Sequence, residues 1–223
     1  MSSTDVKDHF VNVFGPELGS KYHSLHNQVI HVHMNWAMIV ELTKDQERRS
    51  LLHSTGRHFF FEVHRAFVND VLLRLSRLTD PARQGQHDNL SLWALLDDIC
   101  DPCIKSRIRK LIEDVEGKIR PLKQHRDKRI AHFDLDVALD PNVTLPPFND
   151  HSVDEALSAA GDVLERLQEE YTGTSRIQMW VPIDTEQNIE QFLHYLKVGL
   201  DQSKARRDKL LARRQGTGRS TQN

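Results

Sequence analysis

PELGSKYHSLHNQVIHVHMNWAMIVELT, residues 16–43, decides the fold class. Pro16 follows Gly15 and suits the first position of a helix, where its missing N–H costs nothing. Leu18, Tyr22, Leu25, Val29, Val32, Trp36, Ile39 and Val40 then recur at three- and four-residue spacing. That period puts them on one face of a single long amphipathic helix.

Working outward, the same period recurs wherever the chain is apolar. From about Arg57 to Thr79, Phe60, Val63, Phe67, Val71, Leu75 and Leu78 form one stripe. Phe59, Phe61, Leu72 and Leu73 widen it, so this helix is expected to be central and covered on most sides. Asp80-Pro81 stops it. Ala82–Asn89, with Gly85, reads as a polar loop, and Ser91 as the cap of a short helix through Ile99. Asp101-Pro102 opens a further helix carrying Ile104, Ile108, Leu111, Ile112 and Val115. Gly117 and Pro121 predict a kink or short break before the helical pattern resumes over Leu122–His132.

Residues 140–149, with Pro141, Pro146 and Pro147, read as an extended loop. Asp150 or Ser152 is the expected cap of a helix over Val153–Tyr171. Ile177–Pro182 is the one extended segment expected, and Asp184 to about Arg214 reads as a last helix. No hairpin signal appears. The expectation is an all-α antiparallel helical bundle over residues 1–171, an extended segment with a C-terminal helix over 172–215, and a disordered basic tail over 216–223.

Composition narrows the classes. At 223 residues the chain is long enough to bury a real core, and 38% apolar with 28% charged residues excludes disorder. No apolar run approaches the roughly 18 residues that a bilayer-spanning helix needs. The start, Met1–Asp8, lacks a signal-peptide form, so residence in the cytoplasm with no membrane partner is expected. Two cysteines exclude a disulfide scaffold. A net charge of −2 hides 30 Lys+Arg against 32 Asp+Glu, so partners must be read from local charge.

Local charge points to KQHRDKRIAH, residues 123–132. From Lys105 to Arg129 ten basic residues face four acidic ones, a stripe suited to a polyanion. Basic side chains also suit the negative end of a helix for purely structural reasons. On a straight helix Arg126 and His132 would stand about 120° and about 9 Å apart, whereas Arg129 and His132 would share a face.

An arginine, a polar residue behind it and a histidine six positions on resembles the motif of the HEPN superfamily, here Arg126, Asp127 and His132. Asp70–Pro81, Tyr22–Leu25 with Trp36, Asn89–Leu92 and Leu145-Pro146-Pro147 resemble HEPN-like proteins of the abortive-infection AbiU type. The resemblance covers about residues 15–171. It implies a metal-independent endoribonuclease of a phage-defence or toxin–antitoxin system, leaving 2′,3′-cyclic phosphate and 5′-hydroxyl ends. It implies His132 as general base or acid, Arg126 as phosphate clamp and Asp127 as an orienting group. Histidine has the pKa for the first task and arginine the fork for the second. Because such nucleases pair motifs across a dimer, RNA, a second copy of the chain and an antitoxin protein are the expected partners. Lys128, Arg129, Asp70, Arg74 and Arg77 are candidates for the RNA groove. Two alternatives remain: a non-catalytic module that binds nucleotide or nucleic acid, and a helical interaction protein whose basic tail docks an acidic partner.

No cofactor or metal is expected. Cys100-Asp101-Pro102-Cys103 has redox spacing but no strand before it and no further cysteines for zinc. His26 and His33 share a helix face without a carboxylate at ligand spacing. The tail, Lys204, Arg206, Arg207, Lys209, Arg213, Arg214 and Arg219 against Asp208, is a second basic run.

Overall fold

The computed structural model describes residues 3–127, 149–174 and 184–217. Its helices are α1 (Ser3–Phe14), α2 (Pro16–Thr43), α3 (Gln46–Leu78), α4 (Pro102–His125), α5 (Asp150–Thr172) and α6 (Asp184–Thr217). A two-stranded hairpin, β1 (Arg83–Gln84) with β2 (His87–Asp88), and a 3-10 turn over Leu92–Asp97 lie between α3 and α4. The fold is all-α, as the apolar periods require. The expected extended loop at 140–148, the extended segment at 177–182 and the tail beyond 217 lie outside the described residues.

The chain divides into two compact units, residues 1–36 with 66–181, and residues 37–65 with 182–223. The first is the bundle. Leu18, Tyr22, Leu25, Val29 and Val32 of α2 are buried against solvent, as are Val71, Leu72, Leu75 and Leu78 of α3. So are Ile108, Ile112, Val115, Ile119 and Leu122 of α4, and Val153, Leu157, Val163, Leu164 and Leu167 of α5. Each such side chain contributes about 1.5–3 kcal/mol by leaving water. α4 and α5 pack along one another, and Ala156, Ala159 and Ala160 of α5 are buried.

Polar groups inside the bundle find partners across it. The Tyr22 hydroxyl, whose pKa burial pushes well above its ordinary value, donates to the Leu164 carbonyl and lies 3.3 Å from Gln168 Oε1. The Trp36 indole N–H donates to Asp154 Oδ1 at 2.7 Å.

Several elements differ from expectation, each for a local reason. α1 is not among the expected helices, although Val6, Phe10, Val13 and Phe14 repeat at helical spacing. It is held by Phe10 and Phe14, whose rings pack on Tyr22 at 4.7 and 4.5 Å. Gly15 turns the chain at φ 87°, and Gly19 lets α1 approach, since a Cβ there would stand 2.5 Å from the Phe10 carbonyl oxygen.

α3 begins at Gln46 rather than near Arg57, with the helix interrupted at Gly56 (φ −173°, ψ 64°). Periodicity therefore marks the joint and misses the turns before it. Phe59 and Phe61, expected to be covered, are 65% and 61% exposed. They fall in residues 46–65, outside the bundle, and stripe width alone does not supply a cover.

The polar loop contains the hairpin, which two-residue strands are too short to announce by alternation. Gly85 takes φ 63° at its turn, and Arg83 pairs with Asp88 at 2.9 Å. Ser91 precedes a 3-10 turn and is not a side-chain cap; its buried hydroxyl has no partner among the described residues. Asp101 caps α4 as expected, accepting from the Cys103 and Ile104 amides. α4 then runs unbroken through Gly117 and Pro121. Pro121 withholds the amide that would bond the Gly117 carbonyl, but buried Val115, Ile119 and Leu122 hold the helix on both sides of the gap. Asn149, not Asp150 or Ser152, caps α5, accepting from the Ser152 amide at 3.0 Å.

In the second unit, residues 37–43 of α2, 46–65 of α3 and α6 are joined largely by charge. Arg48 pairs with Glu41 at 2.6 Å and Glu190 at 3.5 Å, and Lys197 with Glu47 at 2.9 Å. Ile39, Leu52 and Leu193 are its buried apolar side chains, with Phe60 edge-on to Phe192 at 6.2 Å. From residue 201 to 213 every side chain of α6 is exposed. No helix among the described residues is long and apolar enough to cross a membrane.

Candidate active site

The last turn of α4 positions the site. Leu122 and His125 are buried, which directs Lys123 and Arg126, one turn apart, toward the end of α3. There Asp80 sits just past Leu78, at the negative end of that helix, where a carboxylate is unfavourable unless a cation offsets it. Two do: Lys123 Nζ stands 3.3 Å and the Arg126 guanidinium 3.6 Å from Asp80 Oδ1. Lys123 also donates to the Thr79 carbonyl at 3.0 Å. Asp80, read in the sequence only as a helix stop, is therefore the anchor of the basic pair. The signal that could have found it is a carboxylate at a helix C-terminus, which calls for a cation nearby.

The Arg126 amide donates to the Leu122 and Lys123 carbonyls, and Arg126 keeps helical dihedrals (φ −58°, ψ −52°), so the backbone stays helical through this residue. The Arg126 Nε–H donates to Asp127 Oδ1 at 2.7 Å, so the guanidinium is held between two carboxylates. Its own side chain is 19% exposed, Asp127's 51%. A half-exposed carboxylate on an arginine fork is a partner that an incoming phosphate can replace, since both present paired oxygens to the same donors. Lys128, Arg129 and His132 lie outside the described residues.

The α3 candidates separate. Asp70 Oδ2 accepts from Asn35 Nδ2 at 2.8 Å and from Arg74 Nε at 2.7 Å, and Arg74 reaches Gln28 Oε1 at 3.2 Å. This network ties α3 to α2 about 15 Å along the helix from Asp80, so it is not brought to Arg126. Arg77 is exposed one turn before Asp80 and stands nearer. Cys100 and Cys103 are both free and exposed. Among the described residues no group of three or more His, Cys, Asp or Glu side chains is placed to hold a metal.

A helical bundle with a buried-stripe α4 ending in a clamped arginine is the class the fold and site define. The family model for AbiU2, a HEPN family, matches residues 15–193. The chain belongs to that family. The match runs past residue 171, where the sequence resemblance ends, and takes in the start of α6. No curated protein and no solved structure matches the chain.

Proposed function

We propose that this abortive-infection-type HEPN protein is a metal-independent endoribonuclease acting at the end of α4, as a homodimer in the cytoplasm. The observation that carries the reading is Arg126, fixed at the helix terminus of a HEPN bundle by Asp80 and Asp127 with Lys123 beside it. In the proposed reaction His132 takes the proton from a ribose 2′-hydroxyl, whose oxygen attacks the adjacent phosphorus. Arg126 leaves Asp127 for the phosphate and neutralises charge on its oxygens as the bond to the 5′-oxygen breaks. An acid, the partner subunit's motif or protonated histidine, returns a proton to the leaving 5′-oxygen. The products are a 2′,3′-cyclic phosphate and a 5′-hydroxyl.

End-labelled RNA incubated with the protein in EDTA tests the reading. Fragments ending in cyclic phosphate support it, and a substrate with 2′-deoxyribose throughout should stay intact. A second reading, nucleic-acid binding without turnover, is favoured by one fact: Arg126 is already paired with two carboxylates. RNA that shifts in a gel but is never cut would put that reading first. A toxin role with an antitoxin partner would follow from the nuclease reading and is tested by co-expression rescue of growth.

A further inference from the structure

Trp93, Asp97, Lys105, Arg109, Glu116 and Lys123 line an open cleft of about 630 Å³ beside the proposed site. Four of these are on α4, at positions 105, 109, 116 and 123. At 100° per residue they fall within about 40° of one another, a single stripe about 27 Å long. The stripe carries three cations and one carboxylate. Lys123 closes it at one end and shares Asp80 with Arg126, so the cleft runs into the arginine. Among the described residues neither Lys105 nor Arg109 has an ion-pair partner, and the Trp93 indole N–H has no acceptor. Trp93 is half-buried and contributes an aromatic surface to the cleft wall.

From this placement we infer that the cleft holds single-stranded RNA. One unpaired base stacks on Trp93, Lys105 and Arg109 take successive phosphates, and the strand leads past Lys123 to Arg126. The cation row is too long for one nucleotide, which favours a strand. An aromatic platform is useful only to a base that is not paired, which excludes duplex. Glu116 and Asp97 oppose phosphate and suit amino groups on base edges, so they would select bases rather than hold the backbone. The inference rests on RNA as the substrate and adds the track along which it lies.

The test uses the full chain and a fluorescent oligoribonucleotide with 2′-O-methyl groups, which cannot be cut. Trp93→Ala should weaken binding roughly ten- to hundredfold, and Trp93→Phe only a few-fold, because stacking tolerates any aromatic face. Arg109→Glu, at an exposed position that should not disturb folding, should weaken binding about tenfold or more. It should also flatten the slope of log affinity against log salt by about 0.7, because one phosphate is no longer neutralised. A duplex of the same sequence should compete poorly. Parent-like affinity in Arg109→Glu and in a Trp93→Ala variant with a normal melting curve overturns the inference, even if RNA is still cleaved. Trp93-dependent binding with no cleavage of ordinary RNA by the parent would leave the inference standing and remove the nuclease reading.

Discussion

Asp80 shows how a residue's role depends on what the fold brings to it. Alone it ends a helix unfavourably; with Lys123 and Arg126 it fixes two cations at one point. Asp80→Asn strips one negative charge from the proposed phosphate site. RNA affinity at low salt should rise a few-fold, while stability changes by about 1 kcal/mol or less, since the pairs are partly solvated. Weaker RNA binding in a gel-shift titration would mean instead that Asp80 aims the cations. Gly19 makes a different kind of point. A methyl there meets backbone of α1 at 2.5–2.8 Å, and backbone cannot step aside as a flexible side chain can. Gly19→Ala should cost about 1–3 kcal/mol in urea melts; an unchanged midpoint would mean α1 does not dock as described.

At the scale of elements, the apolar period carries most of the information. α2 runs between the same two residues that its sequence pattern marks, because a stripe from Leu18 to Ile39 leaves no ambiguity about phase or length. α4 begins at the expected Asp101 cap. What the sequence hides has three sources. Residues 46–55 of α3, with only Leu51 and Leu52 apolar, lack the apolar weight to declare a helix, and are held by packing and charge that only the fold supplies. The 83–88 hairpin is too short to alternate. Pro121 is tolerated because packing outweighs one missing hydrogen bond, which periodicity cannot weigh. Restoring that bond should show: Pro121→Ala is expected to stabilise the chain by about 1–3 kcal/mol. A lower melting temperature would mean that the ring packs in a way alanine cannot replace. Of the candidate site, Arg126 and Asp127 are legible from spacing. Lys123 stands in the same basic stretch with nothing to single it out, and Asp80 is forty-six positions from Arg126, a distance that local patterning does not cross.

For the whole molecule, two histidines in the bundle set an acid limit. His26 has neither ring nitrogen partnered among the described residues and lies against Phe10 and Tyr22. Burial holds its pKa below the usual 6.5, with His23 adding to the effect. Burial likewise lowers His33, against a backbone hydrogen bond to Leu157 and the Asp154 charge that pull it back up. As pH falls below 6.5 the unfolded chain therefore takes up protons that the folded chain refuses. Stability should be level above that pH and decline below it, flattening once the folded-state pKa values are passed. Urea midpoints at pH 8, 7, 6 and 5 check this, and a rise in stability on acidification would contradict it.

In the proposed reaction Arg126 and His132 together cut RNA without a metal. The direct measurement is cleavage of one labelled RNA in EDTA by the parent, Arg126→Ala and His132→Ala, with melting curves to show that all three are folded. Each variant is expected to lose about a hundredfold or more in rate, the scale at which a proton-transfer group or a charge-stabilising donor acts. Cutting at the parental rate by either folded variant would contradict the account.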